Sequence, residues 1–336
     1  MAVNGGPRSR RFVKALGVTL ATGMIAAACG QELNAAPVNA EPAELIEPEL
    51  LFASGFGEGV SISPDLLDIV GTDADTGFSW DNSPEWVESV GFYHAINRES
   101  EATEFVGTDI IDAVGPDGEL GRVLHLTNKG DDPAEGSTTR NELSFFGQDE
   151  GATFAEGYFR YDTMLQADLD QIVPDGVQPR LYYLLETKDR PIGQTGNGRG
   201  HSGFRINVGI SQDPETRELF WVATGEQVQP ERVIDWQDRN VDVQVPLGEW
   251  FEIETYIRRH PTDGRVYVAV NGEVVFDLTV RTQHRDEPQP LLFWSPIKLY
   301  HDETWWAEGP TEQWYDDIEL WNGLPDHIET TQRVQP

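Results

Sequence analysis

Residues 138–146 read T-T-R-N-E-L-S-F-F, and the alternation in this stretch decides how the chain folds. Successive side chains on a strand leave opposite faces. Leu143 and Phe145 therefore share one face, and Arg140, Glu142 and Ser144 share the other. A single strand presents a face to bury and a face for chemistry. Residues 181–188, L-Y-Y-L-L-E-T-K, repeat the division, with Tyr183 and Leu185 on one side and Tyr182, Leu184, Glu186 and Lys188 on the other. Two such strands can line a groove.

The same texture runs outward in both directions. From Phe92 to Trp321 short apolar or alternating runs are separated by Gly, Pro, Asp and Asn, and helical periodicity is nearly absent, which predicts an all-β sandwich. Asn271-Gly272 sits between the alternating runs 265–270 and 273–280, and this dipeptide tolerates positive φ at both turn positions, so a tight hairpin is expected. Trp250 to Ile257 precedes it as a further strand, turned by Pro261-Thr262-Asp263-Gly264. The last strand, W-Y-D-D-I-E-L-W over 314–321, is expected to return and pair near the start of the domain. One short helix is expected over Ser83 to Val90, with Ser83 as cap and Pro84 at the first helical position.

A chain of 336 residues with 38% hydrophobic side chains can build a substantial core. Its net charge of -34 argues against nucleic acid as a partner, because that binding rests on cations neutralising phosphates. Spread over most of the chain, such charge reads first as a solvated surface. The first 29 residues carry Arg8, Arg10, Arg11 and Lys14, then an apolar run from Ala15 to Ala28 too short to span a bilayer, which is the pattern of an export signal. Residues 30–48 read as a flexible tether, 49–325 as one domain and 326–336 as a tail.

Ala26-Ala27-Ala28 before Cys29, the only cysteine, resembles a bacterial lipoprotein signal, although Ala26 stands where such signals favour leucine. The resemblance implies cleavage before Cys29 and lipidation of its sulfur. The expected location is extracytoplasmic, with a lipid as the sole membrane attachment or with plain secretion. Over the domain, L-L-F-A-S-G-F at 50–56, T-R-N-E-L at 139–143, G-E-W-F-E-I-E at 248–254, G-R-V-Y-V-A-V-N-G-E at 264–273 and Y-D-D-I-E-L-W-N-G-L-P at 315–325 resemble the concanavalin-like jelly roll, two curved antiparallel sheets. The order of these pieces looks most like the heparin lyase I-like and alginate lyase-like polysaccharide lyases and their uncharacterised relatives.

That resemblance implies β-elimination beside a uronate, in which a carboxylate is quenched, a neighbouring proton removed and a leaving oxygen protonated. It assigns Arg140 as carboxylate clamp and Glu142 as its orienting partner. Where those families carry Q-x-H this chain reads Glu186-Thr187-Lys188, so the histidine is replaced, and Lys188 is expected to stay charged as a second clamp. His201, after the glycine-rich stretch 193–200, is a candidate for the missing base. Tyr300 stands in order where a K-x-G-x-Y tyrosine is expected, although the lysine spacing differs and the glycine is absent; Lys298 and His301 flank it and would lower its pKa. Tyr182, Glu186, Arg205, Asn207 and Trp305 complete the expected substrate contacts.

Plainer readings stand beside these: Arg140 and Glu142 pairing with each other or with Lys188, His201 solvated, Tyr300 packed at a strand end. Arg180, Lys188, Arg190, Arg199 and Arg205 form a cationic window in the acidic chain, which suits an anionic glycan. Trp80, Trp86, Trp294, Trp305, Trp306 and Trp314 suit either sugar stacking or a core. No metal or other cofactor is indicated: Asp73-Ala74-Asp75-Thr76-Gly77 begins like a calcium loop but lacks its closing glutamate. The expected protein is a monomeric polysaccharide lyase. A non-catalytic carbohydrate-binding lipoprotein is the alternative, and a glycoside hydrolase of the same fold ranks third, because no E-x-D-x-x-E string occurs.

Overall fold

The computed structural model describes residues 48–63, 68–81, 87–95, 106–128, 139–147, 156–172, 182–189, 203–228, 232–284, 291–301, 310–326 and 328. In chain order the elements are β1 (Leu50–Ser54), β2 (Val60–Ile62), β3 (Ile69–Gly71), β4 (Val87–Ala95), β5 (Val106–Val114), β6 (Leu120–Asn128), β7 (Thr139–Gly147), β8 (Glu156–Leu165), α1 (Leu169–Ile172), β9 (Tyr182–Asp189), β10 (Phe204–Gln212), β11 (Leu219–Gln227), β12 (Val233–Asn240), β13 (Trp250–Arg258), β14 (Gly264–Val270), β15 (Glu273–Val280), β16 (Leu291–His301) and β17 (Thr311–Trp321). Apart from α1 and a two-stranded sheet of β2 and β3, they form two large antiparallel sheets, an all-β jelly-roll sandwich. The first runs β15-β14-β13-β8-β17-β6-β5, with β1 also on β17, and the second runs β12-β11-β10-β9-β16-β7-β4.

Alternation builds both layers. In β7, Leu143 and Phe145 are fully buried on the core side, and in β10 Ile206, Val208 and Ile210 do the same. Their counterparts from the first sheet include Phe159 and Ile253. Rings interlock across the layers: Phe159 meets Phe145 at 5.7 Å and Trp294 at 5.9 Å, both edge-on, the arrangement the ring quadrupole favours. Trp80 and Trp294 are thus core side chains, 4% and 0% exposed. Trp314 instead stacks on His125 at 5.0 Å.

The expected hairpin is present, with Asn271 and Gly272 at φ 49° and 74°, the left-handed pair that a tight two-residue turn needs. The ends of the domain meet as expected, Leu50 opposite Trp321 and Ser54 opposite Ile318. The helix expected over Ser83 to Val90 is corrected. Residues 87–90 belong to β4, which pairs with β7; residues 82–86 lie outside the described ones. A short isolated helix pays a nucleation cost, whereas V-E-S-V-G-F-Y-H is β-branched and aromatic and finds an unpaired strand edge.

Asp73 organises the turns around it. Its carboxylate accepts from Ser54 Oγ at 2.8 Å and from the backbone N–H groups of Gly55, Gly57, Asp75 and Thr76. Burial works to raise its pKa, and these donors, led by Ser54, outweigh it and hold the group below its usual value. Among the described residues no group of three or more His, Cys, Asp or Glu side chains is arranged to hold a metal ion.

Candidate functional site

The candidate site lies on the face of the second sheet turned away from the core. Five adjacent strands carry a ladder of charge across it in alternating sign, Glu226 from β11, Arg205 from β10, Glu186 from β9, Lys298 from β16 and Glu142 from β7, and β9 adds Lys188. Arg205 and Lys298 are flanked in sequence on both sides by core side chains, Phe204 and Ile206, Ile297 and Leu299, and Glu142 and Glu186 adjoin Leu143 and Leu185; Glu226 stands opposite Arg205 in register. Period-two alternation and register therefore deliver the charges to one side.

The contacts are close. Lys298 Nζ pairs with Glu186 Oε2 and lies 3.2 Å from Glu142 Oε2, within ion-pair range though not aligned as a hydrogen bond. Ser144 Oγ donates to the other oxygen of Glu142 at 3.1 Å. Glu186 Oε1 lies 3.3 Å from Lys188 Nζ and 3.5 Å from an Arg205 nitrogen. Arg205 also binds Glu226, whose second oxygen accepts from Arg232 Nε at 2.7 Å. Burial would raise the pKa of Glu186, yet Lys188, Lys298 and Arg205 together hold it well below the carboxylate range. Glu226 is likewise lowered, its burial overcome by Arg205 and Arg232. Both carboxylates are ionised at neutral pH.

The side chains of Glu142, Glu186 and Glu226 are at most 1% exposed and that of Lys298 between them is 3% exposed, whereas Lys188 is 11%, Arg205 20% and Arg232 62% exposed. Solvent on this face meets Lys188, Arg205 and Arg232, with the carboxylates and Lys298 beneath them.

Glu142, Glu186, Lys188, Arg205 and Asn207, all expected from the sequence, are brought together here. Glu142 contacts Lys298 and Ser144. Tyr300 is half-buried, with its ring centroid 5.3 Å from Lys298 Nζ, and its register partner on β7 is Arg140. For Arg140 and Tyr182 the structure describes the backbone path only. His201, Trp305 and Cys29, like Trp86, Trp306, Arg180, Arg190 and Arg199, lie outside the described residues. The sequence alone has β7 and β9 lining a groove and leaves their order in the sheet open. In the structure β16 lies between them, pairing with both. Lys298, read only as a neighbour of Tyr300, is thereby the link between Glu142 and Glu186. Its signal was a lysine set between isoleucine and leucine in a strand buried on one face. Glu226 and Arg232 were missed altogether.

No family model and no curated protein matches the chain. Among solved structures it is similar to an endo-β-1,4-glucuronan lyase from the fungus Trichoderma reesei, at 16% identity and a TM-score of 0.46, over 72% of this chain and 94% of that one. It is also similar to an alginate lyase, at 17% identity and a TM-score of 0.41, over 72% and 93% of the two chains. A third similar structure is an endo-β-galactosidase from Clostridium perfringens, at 13% identity and a TM-score of 0.45, over 84% and 64%.

Proposed function

We propose that the chain binds an acidic polysaccharide on this face and cleaves it beside a uronate by β-elimination. The observation that carries the reading is which charges reach solvent: on a chain of net charge -34, the cations Lys188, Arg205 and Arg232 do, and the carboxylates with Lys298 lie beneath them. Such a face attracts a polyanion locally against the global field. The carboxylate of a uronate would meet Lys188, Arg205 or Arg140, which makes the adjacent C5 proton acidic. Removal of that proton forms the C4–C5 double bond, the C4–O bond breaks, and the departing oxygen takes a proton. Tyr300 is our candidate for both proton transfers, being half-buried beside Lys298.

Lys188 is poorly suited as the base, because Glu186 lies 3.3 Å from its ammonium. The same pairing favours the second reading, a carbohydrate-binding protein without turnover. A hydrolase is disfavoured, because it needs a protonated carboxyl group and both Glu186 and Glu226 are held ionised. In the same proposal the chain works outside the cytoplasm, tethered by a lipid on Cys29; the mass of the mature amino terminus from a bacterial host checks this, and an unmodified or uncleaved Cys29 would overturn it.

The enzymatic reading is tested by ultraviolet absorbance while the protein is incubated with polyglucuronate, alginate, heparin-like and neutral glycans. Absorbance is expected to rise with at least one uronate-containing glycan as the unsaturated uronate forms. A flat trace with retained binding on affinity electrophoresis would leave the binding reading, and no binding to any acidic glycan would end both.

A further inference from the structure

On the same face Asn207 Oδ1 and Thr224 Oγ1 find no hydrogen-bond partner among the described residues. Asn207 and Thr224 are 2% and 1% exposed and stand directly opposite each other on β10 and β11. Asn207 Nδ2 donates to Glu226 Oε1 at 3.3 Å. This contact sets the amide, since the opposite orientation would press a carbonyl oxygen against a carboxylate. Asn207 Oδ1 therefore turns away from Glu226 and, like Thr224 Oγ1, stays unpaired among the described residues. Leaving such an oxygen buried and unpaired costs about 1–3 kcal/mol, so native proteins hold few of them.

We propose that Asn207 and Thr224 form a subsite that reads a free sugar hydroxyl next to the uronate held by the cations. The inference rests on the acidic-glycan reading and narrows its substrate class to polyuronates whose ring hydroxyls are unesterified. A hydroxyl can donate to Asn207 Oδ1 while accepting from the Thr224 hydroxyl. An acetyl ester or a second carboxylate brings no proton for Oδ1, and Glu226 behind Asn207 repels added negative charge. Arg205 lies two residues away on the same face of β10, roughly 7 Å along the strand, about the reach of one sugar unit. One ring can thus place its carboxylate at the cations while a neighbouring hydroxyl meets the pair. Sites built to bond a hydroxyl reject analogues lacking it far better than apolar pockets do.

The test is affinity electrophoresis of the full chain against polyglucuronate and alginate, each native and O-acetylated. The wild type is expected to favour the native form by about tenfold or more. Thr224→Val should shrink that preference to below about threefold while leaving the melting temperature unchanged or higher, because it removes an unpaired hydroxyl without opening a cavity. Thr224→Ser should restore the preference. Equal wild-type affinity for native and acetylated chains, or a preference that survives Thr224→Val, overturns the subsite alone. Failure of the wild type to bind any of the four probes overturns the acidic-glycan reading and the subsite with it.

Discussion

Replacing Lys298 with alanine is expected to cost about 3–5 kcal/mol of stability, the loss typical when one partner of a buried ion pair is removed. Lys298 is 2% exposed and stands between two buried carboxylates. Glu186 would keep Lys188 and Arg205. Glu142 would keep only the hydroxyl of Ser144 among its described contacts, so most of the loss falls on that uncompensated charge. Urea denaturation of both proteins at pH 7.5 checks it, as does Glu142→Gln on the Lys298→Ala background, which removes the stranded charge and should recover part of the loss. A Lys298→Ala protein within about 1 kcal/mol of wild type would show that the ladder is solvated and would remove the basis for the site.

How legible this site was in the sequence depends on how local each determinant is. Strand identity is local: Leu143 and Phe145 fall on the core side and Glu142 and Ser144 on the other because alternation has only one solution. The turn at Asn271-Gly272 is local too. Strand order is not. Placing β16 between β7 and β9 requires a connection between residues 147 and 291 of the chain, and no dipeptide in β16 announces it. Lys298 was therefore visible as an odd residue but not as the keystone of Glu142 and Glu186. Glu226 was harder still, since A-T-G-E-Q at 223–227 reads as an ordinary solvated strand end until Arg205 is known to lie across from it. Over residues 87–90 the expected helix gives way to a strand for the complementary reason. A good cap at Ser83 and Pro84 is a local signal, and a free sheet edge on β7 outweighs it.

The second large effect lies at the sheet end, where Asp189 and Arg259 join the two layers. Asp189 ends β9, Arg259 follows β13, and Arg259 Nη2 donates to Asp189 Oδ1 at 2.6 Å with both side chains no more than 7% exposed. Each sits in a string that reads as a polar turn, K-D-R and R-R-H, so neither suggested burial. Burial pushes the Asp189 pKa up to about 6, against the pull of Arg259 and of the His284 backbone N–H at 3.4 Å. With the folded pKa above the unfolded one, ionisation is harder in the folded state, and this group's contribution to stability falls as pH rises from about 4 to about 6. Asp162 and Asp316, raised to about 6 and about 7 chiefly by their own burial, act in the same direction, so the wild type sets the baseline. Against that baseline Arg259→Ala is expected to lose about 3–5 kcal/mol at pH 7.5 and distinctly less at pH 5, where the stranded Asp189 can take a proton. Asp189→Leu with Arg259→Leu should be far more stable than Arg259→Ala alone, since the double change removes the charge along with its partner. A double variant as unstable as the single one would mean that the layers are held there by shape, with the ion pair incidental.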